Sequence, residues 1–229
     1  MTIIYRLCAI PSTNPSPIYQ ENKDKLNELC LRSAVATFKD ITPKMIFICD
    51  YCPESYRKMI EDNVPFVHEI HFTNLGINGT AIKQYELAEK EDDDVFLFQE
   101  CDYLWRPSQG KNFYEAVKNL GLVSPYDHPD FYNRYDIHPM ETELQIFNNA
   151  HYRKSRRNTM TFGMTKEAFE NQKGILKKYG YLDNEVWIEM AAKGNKLWTP
   201  IPGMATHMVK DFMSPAIPWD VLMKLYDKP

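Results

Sequence analysis

The sequence contains no apolar run approaching the roughly 20 residues of a membrane-spanning helix, and its start, Met1-Thr2-Ile3-Ile4-Tyr5-Arg6, lacks the basic and long apolar regions of a signal peptide. A basic excess is also missing. The 27 Lys and Arg residues stand against 31 Asp and Glu, a formal net charge of -4, which argues against a general nucleic-acid binder. No repeat, low-complexity tract or flexible linker divides the chain. Cysteine is too sparse for a zinc knuckle: Cys49 and Cys52 have the separation of a redox or zinc pair, but Cys8, Cys30 and Cys101 supply no second close pair. Cys8, Cys30 and Cys49 fall inside apolar patterns as small buried hydrophobes. Free thiols fit a reducing compartment, so these absences together predict a soluble protein of the cytoplasm, with no nucleic-acid partner and no transmembrane segment. Glycine is absent where a phosphate-cradling loop would need it, because residues 9–17 contain no Gly, Lys or Arg.

What is present is a chain of 229 residues with 44% hydrophobic and 13% aromatic content, enough to bury a substantial core as one domain. Apolar runs over 2–9, 45–49, 66–72 and 95–98 read as strands. Helical spacing over 21–38, carried by Leu26, Leu29, Cys30, Ala34 and Phe38, and a second helix over 54–62 fall between the first three. The turn 74–79 opens a third helix. This alternation predicts an α/β fold, a single Rossmann-like domain with a central, mostly parallel sheet flanked by helices. The pattern continues with a helix near 110–118, strands near 120–124, 143–147 and 158–163, helices from about 166 and over 182–192, and a loop at 200–207. The first half, to about residue 105, reads as the nucleotide half of a single domain that continues through residues 106–229.

The run Asp92-Asp93-Asp94-Val95-Phe96-Leu97-Phe98-Gln99-Glu100-Cys101-Asp102 organises the rest. Val95 to Phe98 form a short apolar strand buried on both faces, and acidic residues follow at once. Ligands of open α/β sheets bind just beyond the carboxyl ends of strands, which puts Glu100 and Asp102 where a ligand would be met. Two carboxylates one residue apart can turn toward a single hard cation and leave its other sites to phosphate oxygens, which points to a bound metal and nucleotide. Tyr103, Leu104 and Trp105 directly behind them predict a loop packed down on the domain. Asp50, ending the second strand, is placed to accept a hydrogen bond from a base or ribose, or to form the turn before Pro53. His207 lies in a loop of Pro and Gly without apolar periodicity, where a neutral imidazole can bind a cation such as Mn²⁺.

These residues resemble the nucleotide-sugar-dependent glycosyltransferases of the GT-A fold, in particular a group of small bacterial and viral members. The run Glu100-Cys101-Asp102-Tyr103-Leu104 matches their Glu-Asp-Asp-Tyr-Leu hallmark except at Cys101. Further matches are Tyr126-Asp127-His128-Pro129-Asp130, Asn158-Thr159-Met160-Thr161-Phe162, and Pro202-Gly203-Met204-Ala205-Thr206-His207 with Ser214, Pro215 and Trp219 beyond. The resemblance implies transfer of a sugar from a nucleoside diphosphate, a UDP-sugar foremost, to a glycan or other hydroxyl acceptor, with Mn²⁺ or Mg²⁺ as cofactor. It makes Asp102 the principal metal-linked carboxylate, with Glu100 assisting and His207 as the late metal or diphosphate ligand. Arg6 and Asn78 join Asp50 as donor-contacting candidates.

Asp183 falls where inverting relatives carry the Asp of a Glu-Asp pair that serves as base, but the Glu is replaced by Leu182, so Glu185 is a rival for that role. The apolar face formed by Leu182, Val186, Trp187, Met190 and Ala191 puts Asp183 in the first turn of a helix, whose positive end favours an ionised carboxylate; the plainer alternative is a capping Asp. Arg153, Lys154, Arg156 and Arg157 read as a solvated loop or as a flap that meets the diphosphate or an acidic acceptor, since Arg pairs well with phosphate. His128 and Asp130, with Arg156 and Arg157, are the acceptor-side candidates. Two rivals remain open: a sugar-nucleotide pyrophosphorylase, which needs the basic Gly-rich loop missing here, and a catalytically silent carbohydrate-binding module on the same fold.

Overall fold

The computed structural model describes residues 1–134 and 143–227. The chain begins with Thr2–Cys8 (β1), Lys23–Phe38 (α1), Lys44–Asp50 (β2), Ser55–Asn63 (α2), His68–Thr73 (β3), Gly76–Ala88 (α3) and Val95–Gln99 (β4). It continues with Tyr103–Trp105 (β5), Gly110–Leu120 (α4), Leu122–Val123 (β6), Asp130–Asn133 (α5), Leu144–Phe147 (β7), Ala150–Ser155 (β8) and Phe162–Thr165 (β9). Lys166–Tyr179 (α6), Asp183–Ala192 (α7), Leu197–Ile201 (β10), Ala205–His207 (β11) and Trp219–Tyr226 (α8) complete it.

Nine strands form one sheet in the order β3-β2-β1-β4-β9-β6-β10-β8-β7, and β5 with β11 form a separate ribbon. The strands β3, β2, β1 and β4 are parallel neighbours; β9 runs antiparallel between β4 and β6, and β8 antiparallel between β10 and β7. The result is the expected α/β domain with a large, mostly parallel central sheet flanked by helices.

Period-two alternation builds its two layers. Ile3, Tyr5, Leu7, Met45, Phe47 and Cys49 point to the face covered by α1, α2 and α4, where Ala34, Phe38, Tyr56 and Phe113 pack on them. Ile4, Ile46, Ile48, Phe96 and Phe98 point to the opposite face, against Tyr85 of α3, Phe169 of α6 and Trp187 of α7. Because both faces are covered, these strands read as near-continuous apolar runs, with Arg6 the charged exception in β1. Gly163 in β9 is dictated by contact: a Cβ there would lie 2.7 Å from the Phe113 ring of α4.

Several expectations are corrected. Tyr103–Trp105 is a strand, and its partner β11 and the end of β10 take up the two ends of the predicted loop at 200–207, leaving only 202–204 as loop. Arg153 and Lys154 belong to β8, so that part of the basic cluster is neither loop nor flap. The strand expected at 158–163 begins only at Phe162. Leu182 and Ala191 are exposed, so the buried face of α7 is Val186, Trp187 and Met190. Cys8 is half-buried where full burial was expected, and all five cysteines are free thiols. Among the described residues, no helix is long and apolar enough to cross a membrane.

Candidate active site

The chain runs from β1 through β2 to β3 on one side of β1 and then returns to lay β4 on its other side. Such a reversal opens a crevice at the carboxyl ends of the strands on either side of it. A cavity of about 330 Å³ lies there, within the size range of small-molecule sites. Its wall includes Arg6 and Cys8 from β1, Asp50 and Tyr51 after β2, Ile77 and Thr80 of α3, Glu100 to Asp102 after β4, and Lys23 at the start of α1.

Glu100 and Asp102 do not turn to a common point. Arg6, 7% exposed, donates through Nη2 to Glu100 Oε1 at 2.9 Å and through Nη1 to the Ile77 carbonyl at 3.1 Å. Burial pushes the Glu100 carboxyl up, against the lowering effect of Arg6, and Asp102 pushes it further. Asp102 is held by cations instead: His207 Nε2 lies 3.4 Å and Lys23 Nζ 3.8 Å from its Oδ2. Burial alone would raise Asp102, but His207 and then Lys23 outweigh it and hold this carboxyl well below the usual range. Burial would likewise lower His207, yet Asp102 and Glu100 raise it above an ordinary imidazole.

The β5–β11 ribbon sets this pairing. His207 lies opposite Tyr103 in the register, its ring stacks on that of Tyr103 with centroids 5.1 Å apart, and Met208 N donates to the Asp102 carbonyl at 2.7 Å. The ribbon is braced from behind. Ser214 N donates to Thr206 Oγ1 at 2.7 Å, and Trp219 Nε1 to the Ser214 carbonyl at 2.8 Å, while Trp219 packs with Leu26, Leu29 and Leu104.

At the other end of the cavity, Asp50 accepts at Oδ1 from Thr73 Oγ1 at 2.9 Å and Leu75 N at 2.8 Å. Its carboxylate therefore forms a turn, though the one between β3 and α3 rather than the one before Pro53, while still lining the cavity. Asn78 stands outside the cavity wall. Its Oδ1 accepts from Tyr181 N at 3.4 Å and occupies the space beside Gly180, where a Cβ would come within 1.9 Å of it. Gly180 has φ +61, and Asn78 and Gly180 thus join α3 to the bend that leads into α7.

Asp183 is the first residue of α7, and it lies close enough to Glu100 to raise that carboxyl's pKa. Its Oδ1 accepts from Asn184 N at 2.7 Å. Burial raises the Asp183 carboxyl and Glu185 adds to the rise, so desolvation outweighs the helix end that was expected to favour ionisation. Glu185 itself is exposed. The helix is anchored by Trp187, whose Nε1 donates to the Asn158 carbonyl; Asn158 Nδ2 donates to the Tyr126 carbonyl at 2.8 Å, and Thr159 Oγ1 meets the Tyr103 hydroxyl. The segment 158–162 therefore ties the ribbon to α7.

Arg157 reaches this same place, donating to Asn184 Oδ1 at 3.2 Å, and its charge lowers the Asp183 pKa. Arg153 points elsewhere. It pairs with the buried Asp127 and lies 4.5 Å from the centre of the Phe131 ring and 4.8 Å from that of Tyr132. His128 accepts at Nδ1 from Asp130 N at 3.0 Å and packs against Tyr126 and Phe212, in the turn that starts α5. Asp130 is the first residue of α5. Arg156, at the end of β8, is exposed.

Among the described residues, no group of three or more His, Cys, Asp or Glu side chains is arranged to hold a metal ion. With Glu100 engaged by Arg6, the residues fit a divalent cation only as an Asp102–His207 pair. Hard cations accept such a pair when phosphate oxygens and water complete the shell. Lys23 is the site residue that sequence reasoning passed over. It opens a helix of mixed polarity and looks like a solvated end; its place 15 residues after β1, just beyond the loop that lacks basic residues, was the available signal.

No family model and no curated protein matches the chain. Solved structures do match its fold. The inositol-1-phosphate CTP transferase of T. maritima aligns with a TM-score of 0.55 and 13% identity over 99% of this chain and 96% of that one. The galactosyltransferase LgtC, in complex with donor and acceptor sugar analogs, aligns with a TM-score of 0.50 and 11% identity over 87% and 73%. The 4-diphosphocytidyl-2C-methyl-D-erythritol synthase of Anaerococcus prevotii aligns with a TM-score of 0.52 and 12% identity over 98% and 95%. The class defined is that of the fold shared by nucleotidyl and nucleotide-diphospho-sugar transferases.

Proposed function

We propose that this chain is a transferase that takes a nucleoside diphosphate sugar, a UDP-sugar foremost, and passes the sugar to a glycan or other hydroxyl acceptor. The observation that carries the reading is the cavity at the β1–β4 reversal, with Asp50, Asp102 and Lys23 in its wall, His207 3.4 Å from Asp102, and Asp183 near enough to Glu100 to raise that carboxyl's pKa. Asp50 takes the nucleoside, the Asp102 end faces the diphosphate, and Arg6 holds Glu100 in place. Asp102 and His207 would hold a divalent cation, whose chemistry would be to supply positive charge to the departing diphosphate. Asp183 accepts the proton of the acceptor hydroxyl as its oxygen attacks the anomeric carbon; the bond from that carbon to phosphate oxygen breaks, and the diphosphate leaves with the electron pair. A carboxylate with a raised pKa suits that role, since proton transfer is most effective when the base titrates nearer the working pH. Residues 1–105 act as the donor half of a single domain and 106–229 as the acceptor half. The free thiols agree with a cytoplasmic setting.

A second reading, nucleotidyl transfer from a nucleoside triphosphate to a sugar phosphate, is favoured by one observation: Lys23 brings into the cavity the basic group that the loop before it lacks. The two separate by product. Incubation with UDP-sugars, with and without hydroxyl acceptors, releases UDP under the first reading; incubation with CTP or UTP and sugar phosphates releases pyrophosphate under the second. Intact donors in both incubations, with nucleotide still bound, would mean a silent binding module.

A further inference from the structure

Five charged side chains line the cavity, and they are not equivalent. Arg6 gives its Nη1 and Nη2 to the Ile77 carbonyl and Glu100, and its buried Nε has no partner among the described residues. Asp50 is engaged by Thr73 and Leu75. Lys23 differs from these: only 8% of its side chain is exposed, and its ammonium makes no hydrogen bond to an oxygen among the described residues, the Asp102 carboxylate standing 3.8 Å away. An ammonium has three donors and no acceptor, and the neighbouring Cys101 sulfur accepts only weakly. A buried cation with strong donors turned toward a cavity calls for an anionic ligand there.

Two further features point the same way. Lys23 and Asp102, with Pro11 and Ser12, line both the main cavity and a smaller one under the loop that follows β1. Lys23 is also the first residue of a helix of 16 residues, whose Asn22 cap takes the N–H of Lys25, and the positive end of that helix adds to its charge.

We infer that Lys23 is a resident phosphate-binding cation, so that this cavity binds a nucleoside diphosphate more tightly than the corresponding nucleoside with no divalent metal present. The inference rests on the proposal that the cavity takes a nucleotide and adds the group that neutralises its diphosphate. A charge-assisted hydrogen bond of this kind corresponds to roughly a tenfold to hundredfold gain in affinity.

Calorimetric titration in EDTA, with UDP against uridine and CDP against cytidine, tests it on the parent protein, Lys23→Met and the neutral, hydrogen-bonding Lys23→Gln. The parent is expected to prefer the diphosphate by roughly tenfold to a hundredfold. Both variants are expected to lose that preference while binding the nucleoside as before, which also shows that they are folded. A purely structural lysine would weaken nucleoside and diphosphate alike. The inference is overturned, with the nucleotide reading intact, if the parent prefers the diphosphate only in Mn²⁺ or if either folded variant keeps the metal-free preference. If the parent binds neither nucleosides nor diphosphates, with or without Mn²⁺, both fall.

Discussion

Arg6 and Glu100 are joined by a 2.9 Å ion pair across the seam between β1 and β4, and this pair separates the two acidic residues that follow β4 into different duties. Glu100 neutralises a buried guanidinium; Asp102 faces His207 and Lys23. The structural consequence is an asymmetry between two substitutions that look alike in the sequence. Asp102→Asn is expected to remove most metal-dependent UDP affinity and also to lower stability, because it leaves the buried Lys23 ammonium without its carboxylate. Glu100→Gln is expected to keep that affinity and to lower stability by about 1.5–3 kcal/mol, the cost of weakening a charged hydrogen bond. Titration of UDP in Mn²⁺ beside denaturant unfolding reads both; unchanged UDP affinity in Asp102→Asn would remove the metal role from Asp102.

Asp50 holds the start of α3 and faces the cavity, so its two functions are separable by chemistry. Asn retains an oxygen able to accept from Thr73 and Leu75, whereas Ala does not. Asp50→Asn is expected to melt close to the parent yet bind uridine more weakly, and Asp50→Ala to lose about 1–3 kcal/mol of stability as well. Parent-like uridine affinity in Asp50→Asn would show that the carboxylate serves only the turn.

The raised pKa of Asp183 fixes the direction of a pH effect. A base must be ionised to accept a proton, so turnover is expected to fall as pH drops through a value above 3.8, the ordinary one for this side chain. Glu185 raises that pKa and Arg157 lowers it, so Glu185→Gln should move the acidic limb to lower pH and Arg157→Gln to higher pH. Asp183→Asn should cost roughly 10²- to 10⁴-fold in turnover, although Asn caps a helix about as well as Asp. Near-normal transfer by Asp183→Asn with an inactive Glu185→Gln would reassign the base to Glu185.

Gly180 tests how α7 is aimed. Its positive φ and the Asn78 oxygen beside it both exclude a side chain, so Gly180→Ala is expected to lose about 1–3 kcal/mol of stability. In the Asn78→Ala background part of that loss should disappear, because the collision is removed while the backbone strain stays. An equal loss in both backgrounds, measured by denaturant unfolding, would show that the collision contributes nothing.

The strands that carry the cavity were legible because both of their faces are covered: Met45 to Cys49 and Val95 to Phe98 are apolar without a gap, and Ile3 to Leu7 is broken only by Arg6. Their order gave the edge at which Asp50, Glu100 and Asp102 lie. What stayed hidden was hidden for physical reasons. The strands β5 and β11 have three residues each, too short to show a period. Pro200 disguises β10. In β8 the buried Tyr152 and Ser155 enclose Arg153 and Lys154, whose charges are met by Asp127 and Glu143, partners that only the fold supplies. Likewise Glu100 beside Asp102 suggested a shared ion, and nothing local announced that Arg6, from a neighbouring strand, would claim one of them. Lys23 was invisible for the same reason.

The β5–β11 ribbon joins residues about a hundred positions apart, and this governs when the site comes into being during synthesis. A chain elongated only as far as β10 already holds every strand of the main sheet and every residue of the cavity wall, including Asp102 and Lys23. It does not yet hold the imidazole that stacks on Tyr103 and meets Asp102, nor the Ser214 and Trp219 brace behind it. The Asp102–His207 pair therefore forms only after the scaffold is assembled, once the segment that follows β10 has emerged. Removing that segment would take the imidazole from Asp102 and uncover Leu26, Leu29 and Leu104, which Met208, Trp219 and Met223 bury.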